Sequence, residues 1–263
     1  GKARDVAASD KSDPMFSVAP RRWVGRPAVV GRLRPHTDRE WLLAYRDIAR
    51  VTDERTVIMA VLPYAATDFS LRLMFPTRSA CHSALLIANF NSLTFDFVAR
   101  QMSGGTHVSD YITKQLPCLP PDSYTAADTA HIVPRVVELV YSSWELGQFA
   151  ADVGTDADGP TSDAIRSAMS TEALPDAEYG PAGFPPFGWD ANRRATIRAE
   201  LDAYYAKLYD LARDELEYIL DPHDVEGDDF PGETFRVLKE KEIKLHKEYR
   251  TKRLVLEAWD RLE

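Results

Sequence analysis

Four cysteine and histidine side chains able to bind zinc stand in the stretch from Cys81 to Cys118, namely Cys81, His82, His107 and Cys118. A small zinc site draws at least one ligand pair from a short turn, with roughly two to four residues between the two. Here 24 residues separate His82 from His107 and 10 separate His107 from Cys118, which matches no compact spacing. No metal ligand is therefore assigned, and the cysteines read as small buried hydrophobes. His107 has a second chemistry available, that of a general base with the nearby Asp110 to orient its ring. No nucleophile accompanies it, so a turn residue or a single polar contact is the preferred role, and no catalytic residue is assigned. Two residues before it, Gly104-Gly105 can bring backbone amides close to an anion. No helical pattern follows the pair, and a plain reversal of the chain reads equally well.

Other catalytic constellations are missing from the sequence. It has no P-loop, no glycine-rich dinucleotide fingerprint, no Gly-x-Ser-x-Gly elbow and no His-Glu-x-x-His. Pro117-Cys118 is followed by Leu119-Pro120-Pro121, so the second thiolate of a zinc deaminase is lacking. Phe184-Pro185-Pro186-Phe187 is shaped like the base-holding motif of amino-methyltransferases. Phenylalanine cannot accept from an exocyclic amine, however, and the stretch reads as a packing patch.

The 263 residues carry a net charge of −9, distributed unevenly. Residues 1–125 hold 16 Lys+Arg against 12 Asp+Glu, and 13 of those cations are arginine; the remainder is strongly acidic. Arginine forks suit phosphates and guanine edges, so nucleic-acid contact by the front half is compatible with this charge, whereas the back half would repel DNA. No apolar run is long enough for a membrane span, and two cysteines suit a reducing compartment, so a cytoplasmic protein without a membrane is expected.

The elements that must position these groups read as an α+β fold. Residues 1–20 read as a flexible lead-in, 21–125 as a small mixed α/β domain, and 126–263 as a helical region with a long loop at about 154–190. RRWVGRPAVVGRLR (21–34) suggests a strand pair or a bent strand. WLLAYRDIARV (41–51) and VIMAVLPY (57–64) suggest two strands around a TDER turn. FSLRLMF (69–75) alternates as a half-buried strand with Arg72 pointing outward. Residues 79–102 fit one helix broken near Asn91-Ser92 or two short ones, and VSDYITKQ reads as a short strand entering a proline-rich exit. Trp23, Trp41, Trp144, Trp189 and Trp259, and the tyrosines at 204, 205 and 209, read as core.

Five separated motifs then occur in order: Arg46–Ala49, Arg55-Thr56, Asn91-Ser92, Gly104–His107 and Leu116–Pro121. Together they resemble the target-recognition region of adenine-specific DNA methyltransferases that carry methylase and specificity parts in one polypeptide. Such proteins include type IIG restriction-modification enzymes and the large methylases of BREX- and DISARM-like phage-defence systems. DELEYIL (214–220) and YRTKRLVLEAWDRL (249–262) are similar to the ends of the same proteins. The resemblance spans most of Arg21–Glu263.

The resemblance implies a domain that reads double-stranded DNA. Arg46, Arg55, Arg72, Arg78, Arg100 and Lys114 are the expected phosphate or base contacts, with Gln101, Thr106 and His107 beside them and close backbone approach at Gly104 and Gly105. Arg46 beside Asp47 and Arg55 beside Glu54 have internal ion pairs as their alternative. The S-adenosylmethionine loop and the Asn-Pro-Pro-Tyr site are expected in an upstream methylase domain, so this chain alone is not expected to methylate. A competing expectation is a module that docks other subunits of a defence system.

Overall fold

The computed structural model describes residues 6–19, 22–50, 53–169, 180–232 and 234–262. A single turn, α1 (Ala8–Lys11), is followed by α2 (Arg26–Leu33), a helix where the sequence suggested a strand pair or a bent strand. Pro27 fits the first helical turn, where no N–H is needed, and Val29 and Leu33 lie four apart on one face. Their burial beside Leu42 outweighs the preference of valine for strands.

Strands β1 (Trp41–Arg46), β2 (Met59–Pro63) and β3 (Leu71–Met74) form an antiparallel sheet of order β2-β1-β3. The central strand is buried from Trp41 to Tyr45, as its unbroken apolar run requires. Trp41 packs edge-on against Phe149, and its indole N–H donates to Asp152 at 2.9 Å. In β3 every residue is half-buried, Arg72 included.

The break expected near Asn91-Ser92 separates α3 (Ala80–Asn91) from α4 (Leu93–Met102). Its cause is a cap: Ser92 is extended, and its Oγ accepts from Phe95 N–H. After α4 the expected short strand is replaced by one helical turn, α5 (Asp110–Thr113), capped by Ser109. Of the strand only the single bridge between Ile48 and His107 exists.

Thr125 and Asp128 form a reciprocal capping box that starts α6 (Ala126–Val140), followed by α7 (Gly147–Asp156). Much of the long loop expected at 154–190 is a helix, α8 (Gly159–Met169), which packs on α6. Composition hid it: Gly159 and Pro160 stand in its first turn, while Thr161 and Ile165 supply the buried face. Residues 170–179 of the expected loop lie outside the described residues.

The chain ends in α9 (Ala191–Leu208), α10 (Arg213–Leu220), α11 (His223–Glu226), α12 (Arg236–His246) and α13 (Arg250–Arg261). Helix dominates and the strands make one small sheet, so the class is α+β.

Two compact units emerge, and neither follows a boundary at residue 125. The first comprises 1–44, 60–85 and 120–190; the second comprises 45–59, 86–119 and 191–263. The core of the second joins Leu93 to Ala199, Ala203 and Ala206 of α9, Leu216 and Leu220 of α10, and Val255 and Trp259 of α13. Small alanines on α9 let the neighbouring helices approach closely. None of the described helices is long and apolar enough to cross a membrane.

Candidate functional site

The second unit holds nine of the eleven residues that the sequence singled out, and it uses three of its arginines internally. Asp96 on α4 is fully buried. Its Oδ1 accepts from Thr56 and Val57 N–H at 2.8 and 2.7 Å, and its Oδ2 accepts from Arg100 Nε at 3.2 Å. Arg55 Nε lies 3.8 Å from the same oxygen. Arg100 also donates to the carbonyls of Thr234 (3.1 Å) and Asp53 (2.7 Å) and stacks over Phe235, leaving its side chain 10% exposed. Arg55 donates to Asn91 O. Arg46 pairs with Asp53 at 3.2 Å and donates to Arg55 O at 2.5 Å.

The irregular segment between β1 and β2 explains this arrangement. The Asp53 and Arg55 carbonyls of this segment are taken by the guanidiniums of Arg100 and Arg46, since the five donors of a guanidinium can satisfy several acceptors at once. Arg46, Arg55 and Arg100, expected as DNA contacts, are thus reassigned to holding this segment. The internal alternative noted for Arg46 and Arg55 is what the geometry shows, although the partners are Asp53 and Asp96 rather than Asp47 and Glu54.

The loop after α4 is built differently. Ala49 N–H donates to Thr106 O at 3.0 Å and Val108 N–H donates to Asp47 O at 2.7 Å, so the loop is zipped to the continuation of β1. Gly104, Gly105, Thr106 and His107 between Ser103 and Val108 are all exposed. Neither glycine has a positive φ, and a Cβ at either would meet no atom within 4 Å.

His107 is paired, but not with Asp110. Its Nδ1 lies 2.5 Å from Oδ2 of Asp47, whose side chain is 1% exposed while that of the histidine is 56% exposed. Asp110 instead accepts from Tyr45 Oη at 2.8 Å, which fixes the start of α5. Beside the loop, a cleft of about 180 Å³ is lined by Ala49, Arg50, Thr56, Arg100, Gln101, Ser103 and Thr234. Gln101 and Lys114 are exposed, as are Arg50 and Tyr111, which sequence reasoning passed over. Nothing in the local spacing distinguished Arg50; its place on the cleft depends on the fold.

Arg72 and Arg78 belong to the first unit. Arg78 is exposed and lies 3.8 Å from Asp122, a loose surface pair. Cys81 is buried, its Sγ 3.6 Å from Val153 O, and burial pushes its thiol up to about 12. Burial likewise pushes the Cys118 thiol of the second unit up to about 11. Among the described residues, no group of three or more His, Cys, Asp or Glu is placed to hold a metal ion.

Phe184 and Phe187 pack against each other, and Tyr141 Oη donates to Phe184 O at 2.9 Å, so the stretch is a packing patch. Trp41, Trp259 and Tyr205 are core as expected, whereas Trp23 is 81% exposed and is not. Compared with protein-family models, curated proteins and solved structures, the chain matches none.

Proposed function

We propose that the second unit reads double-stranded DNA through the Ser103–Val108 loop and its flanks, as the specificity part of an adenine-specific DNA methyltransferase of a restriction-modification or phage-defence system. The observation that carries this is the pair Gly104-Gly105: neither a left-handed backbone nor local crowding accounts for glycine at either position. A partner approaching the main chain from outside does account for it, since a phosphate or a groove wall can then sit where a side chain would stand.

Thr106, His107 and Gln101 are the candidate polar contacts, with Arg50 and Lys114 as the exposed cations. Arg72 and Arg78 stay as proposed contacts of the first unit. In this assignment S-adenosylmethionine and the methyl-transfer groups come from an upstream methylase domain, and this chain supplies none.

The test is duplex affinity by fluorescence anisotropy over a salt series. Affinity that falls steeply between about 50 and 200 mM salt, together with a Gly104→Ala variant that binds about tenfold more weakly at unchanged melting temperature, is the expected result. Salt-independent binding, or unaltered binding by both Gly104→Ala and Gly105→Ala, rules the proposal out.

One observation favours a second reading, docking of another defence subunit. Helix α12 has no buried residue and exposes Ile243 and Leu245 at 44% and 62%. An apolar interface there would respond little to salt.

A further inference from the structure

We propose that His107, with its ring locked by Asp47, determines specificity at one base pair by accepting a hydrogen bond from an exocyclic amine, adenine N6 or cytosine N4, in the major groove. This rests on DNA recognition by the Ser103–Val108 loop and adds which group is read and how.

The lock has three parts. Asp47 is buried and its carboxylate can only accept, so the hydrogen on the near ring nitrogen belongs to His107 Nδ1. The backbone on both sides of the histidine is fixed, by Thr106 O to Ala49 N–H and by Val108 N–H to Asp47 O. The ring itself remains more than half exposed, so the nitrogen opposite the carboxylate is the one available to a partner.

With Nδ1 carrying the hydrogen, the neutral ring offers Nε2 as a lone pair and nothing else. A phosphate oxygen also offers only lone pairs, so neutral His107 cannot hold a phosphate through Nε2. In the major groove the hydrogen-bond donors are the amines of adenine and cytosine, whereas guanine and thymine edges present acceptors. Pinning by Asp47 therefore converts an ambivalent side chain into a selective one. A free imidazole would exchange tautomers and tolerate either kind of edge. Asp47 acts as the positioning residue and His107 as the reader.

The experiment is selection of bound duplexes from a pool randomised over 20 base pairs, using the full chain at pH 8.5 and low salt, followed by anisotropy on the selected sequences. Wild type, His107→Ala and Asp47→Asn are compared. The wild type is expected to select A or C over G and T at one position. In His107→Ala that preference disappears, with about a tenfold loss on the selected duplex and no loss on unselected ones. In Asp47→Asn the amide can donate to Nδ1 and turn Nε2 into a donor, so guanine becomes accepted at that same position while the other positions keep their preferences.

His107 is exposed, so its truncation leaves the fold intact even if the buried Asp47→Asn variant is destabilised. A His107→Ala selection identical to wild type overturns the inference while leaving DNA recognition standing. A loss of affinity equal on all duplexes, the mark of a phosphate contact, overturns it too. Absence of any duplex binding by the wild type overturns the inference and the DNA reading together.

Discussion

Replacing Asp96 by asparagine tests the central electrostatic feature of the second unit. The amide oxygen can still take the Thr56 and Val57 N–H groups, which both point at Oδ1. The amide NH2 then faces Arg100 Nε and Arg55 Nε, donor against donor, where Oδ2 had stood 3.2 and 3.8 Å away. One charge-assisted bond is lost, about 1.5–3 kcal/mol, and two guanidiniums lose their shared counter-charge. Removing one partner of a fully buried pair costs about 3–5 kcal/mol; partial exposure of Arg55 argues for the lower end, about 3 kcal/mol.

Alanine at the same position also strands two backbone N–H groups, at about 1 kcal/mol or more each, and reaches about 5 kcal/mol. That is comparable with the whole stability of a modest domain. Urea unfolding followed by circular dichroism and tryptophan fluorescence, with a separate transition allowed for each unit, measures both variants. Adding Arg100→Met to Asp96→Asn removes the uncompensated cation but strands the Thr234 and Asp53 carbonyls, so the double variant should be no more stable than Asp96→Asn alone. An Asp96→Asn midpoint within about 0.5 kcal/mol of wild type would show that the carboxylate is not the hub described here.

Three further outcomes follow from the same geometry. Asp202 is buried and accepts from Leu93 N–H at 2.7 Å, and burial pushes its carboxyl up to about 6. Its folded value lies above the unfolded one, so the stability it contributes is complete below about pH 4 and lost as pH rises through about 6; Asp202→Asn should gain on wild type by up to about 3 kcal/mol between those limits in a melting series. A flat difference would contradict this. Native Cys81 and Cys118, both with thiols pushed well up by burial, should react slowly with iodoacetamide at pH 8 and rapidly in urea, as read by mass spectrometry; equal native and denatured rates would count against their burial. Arg50→Ala and Lys114→Ala should each lower the slope of log affinity against log salt by about 1, without changing which duplexes are selected; an unchanged slope removes that residue from the interface.

What could be read from the sequence was local. The break at Ser92 was legible because a serine before an apolar helical stretch is a cap wherever the helix packs. The strands WLLAYR and MAVLP were legible because continuous apolar runs of five or six residues have few other uses. Helix α2 was misread since its two valines favour strands, and only the burial of Val29 and Leu33 against Leu42 reverses that preference. At the site, arginine identities announced charge but not partners: Arg100 answers to Asp96 four residues away and also to Thr234, 134 residues on. His107 showed a nearby carboxylate in Asp110, while its actual partner, Asp47, is 60 residues upstream. The pair Gly104-Gly105 read as a reversal of the chain or a backbone approach to an anion, whereas its exposure and the bonds that tie its loop to the segment after β1 are set by the fold.

The way the two units share the chain limits how the protein can be divided. The polypeptide passes from one to the other five times, after residues 44, 59, 85, 119 and 190. Each unit is assembled from three separate stretches, so neither can be cloned as a contiguous fragment without carrying pieces of the other. Synthesis must also reach α13 before the hydrophobic centre around Leu93 and Trp259 is complete, which ties the early segment 45–59 to a closure that waits for the last helix. A stop codon or protease nick near the C-terminus would therefore disable the arginine-held segment and the glycine loop, although both lie some 130 residues or more away in sequence.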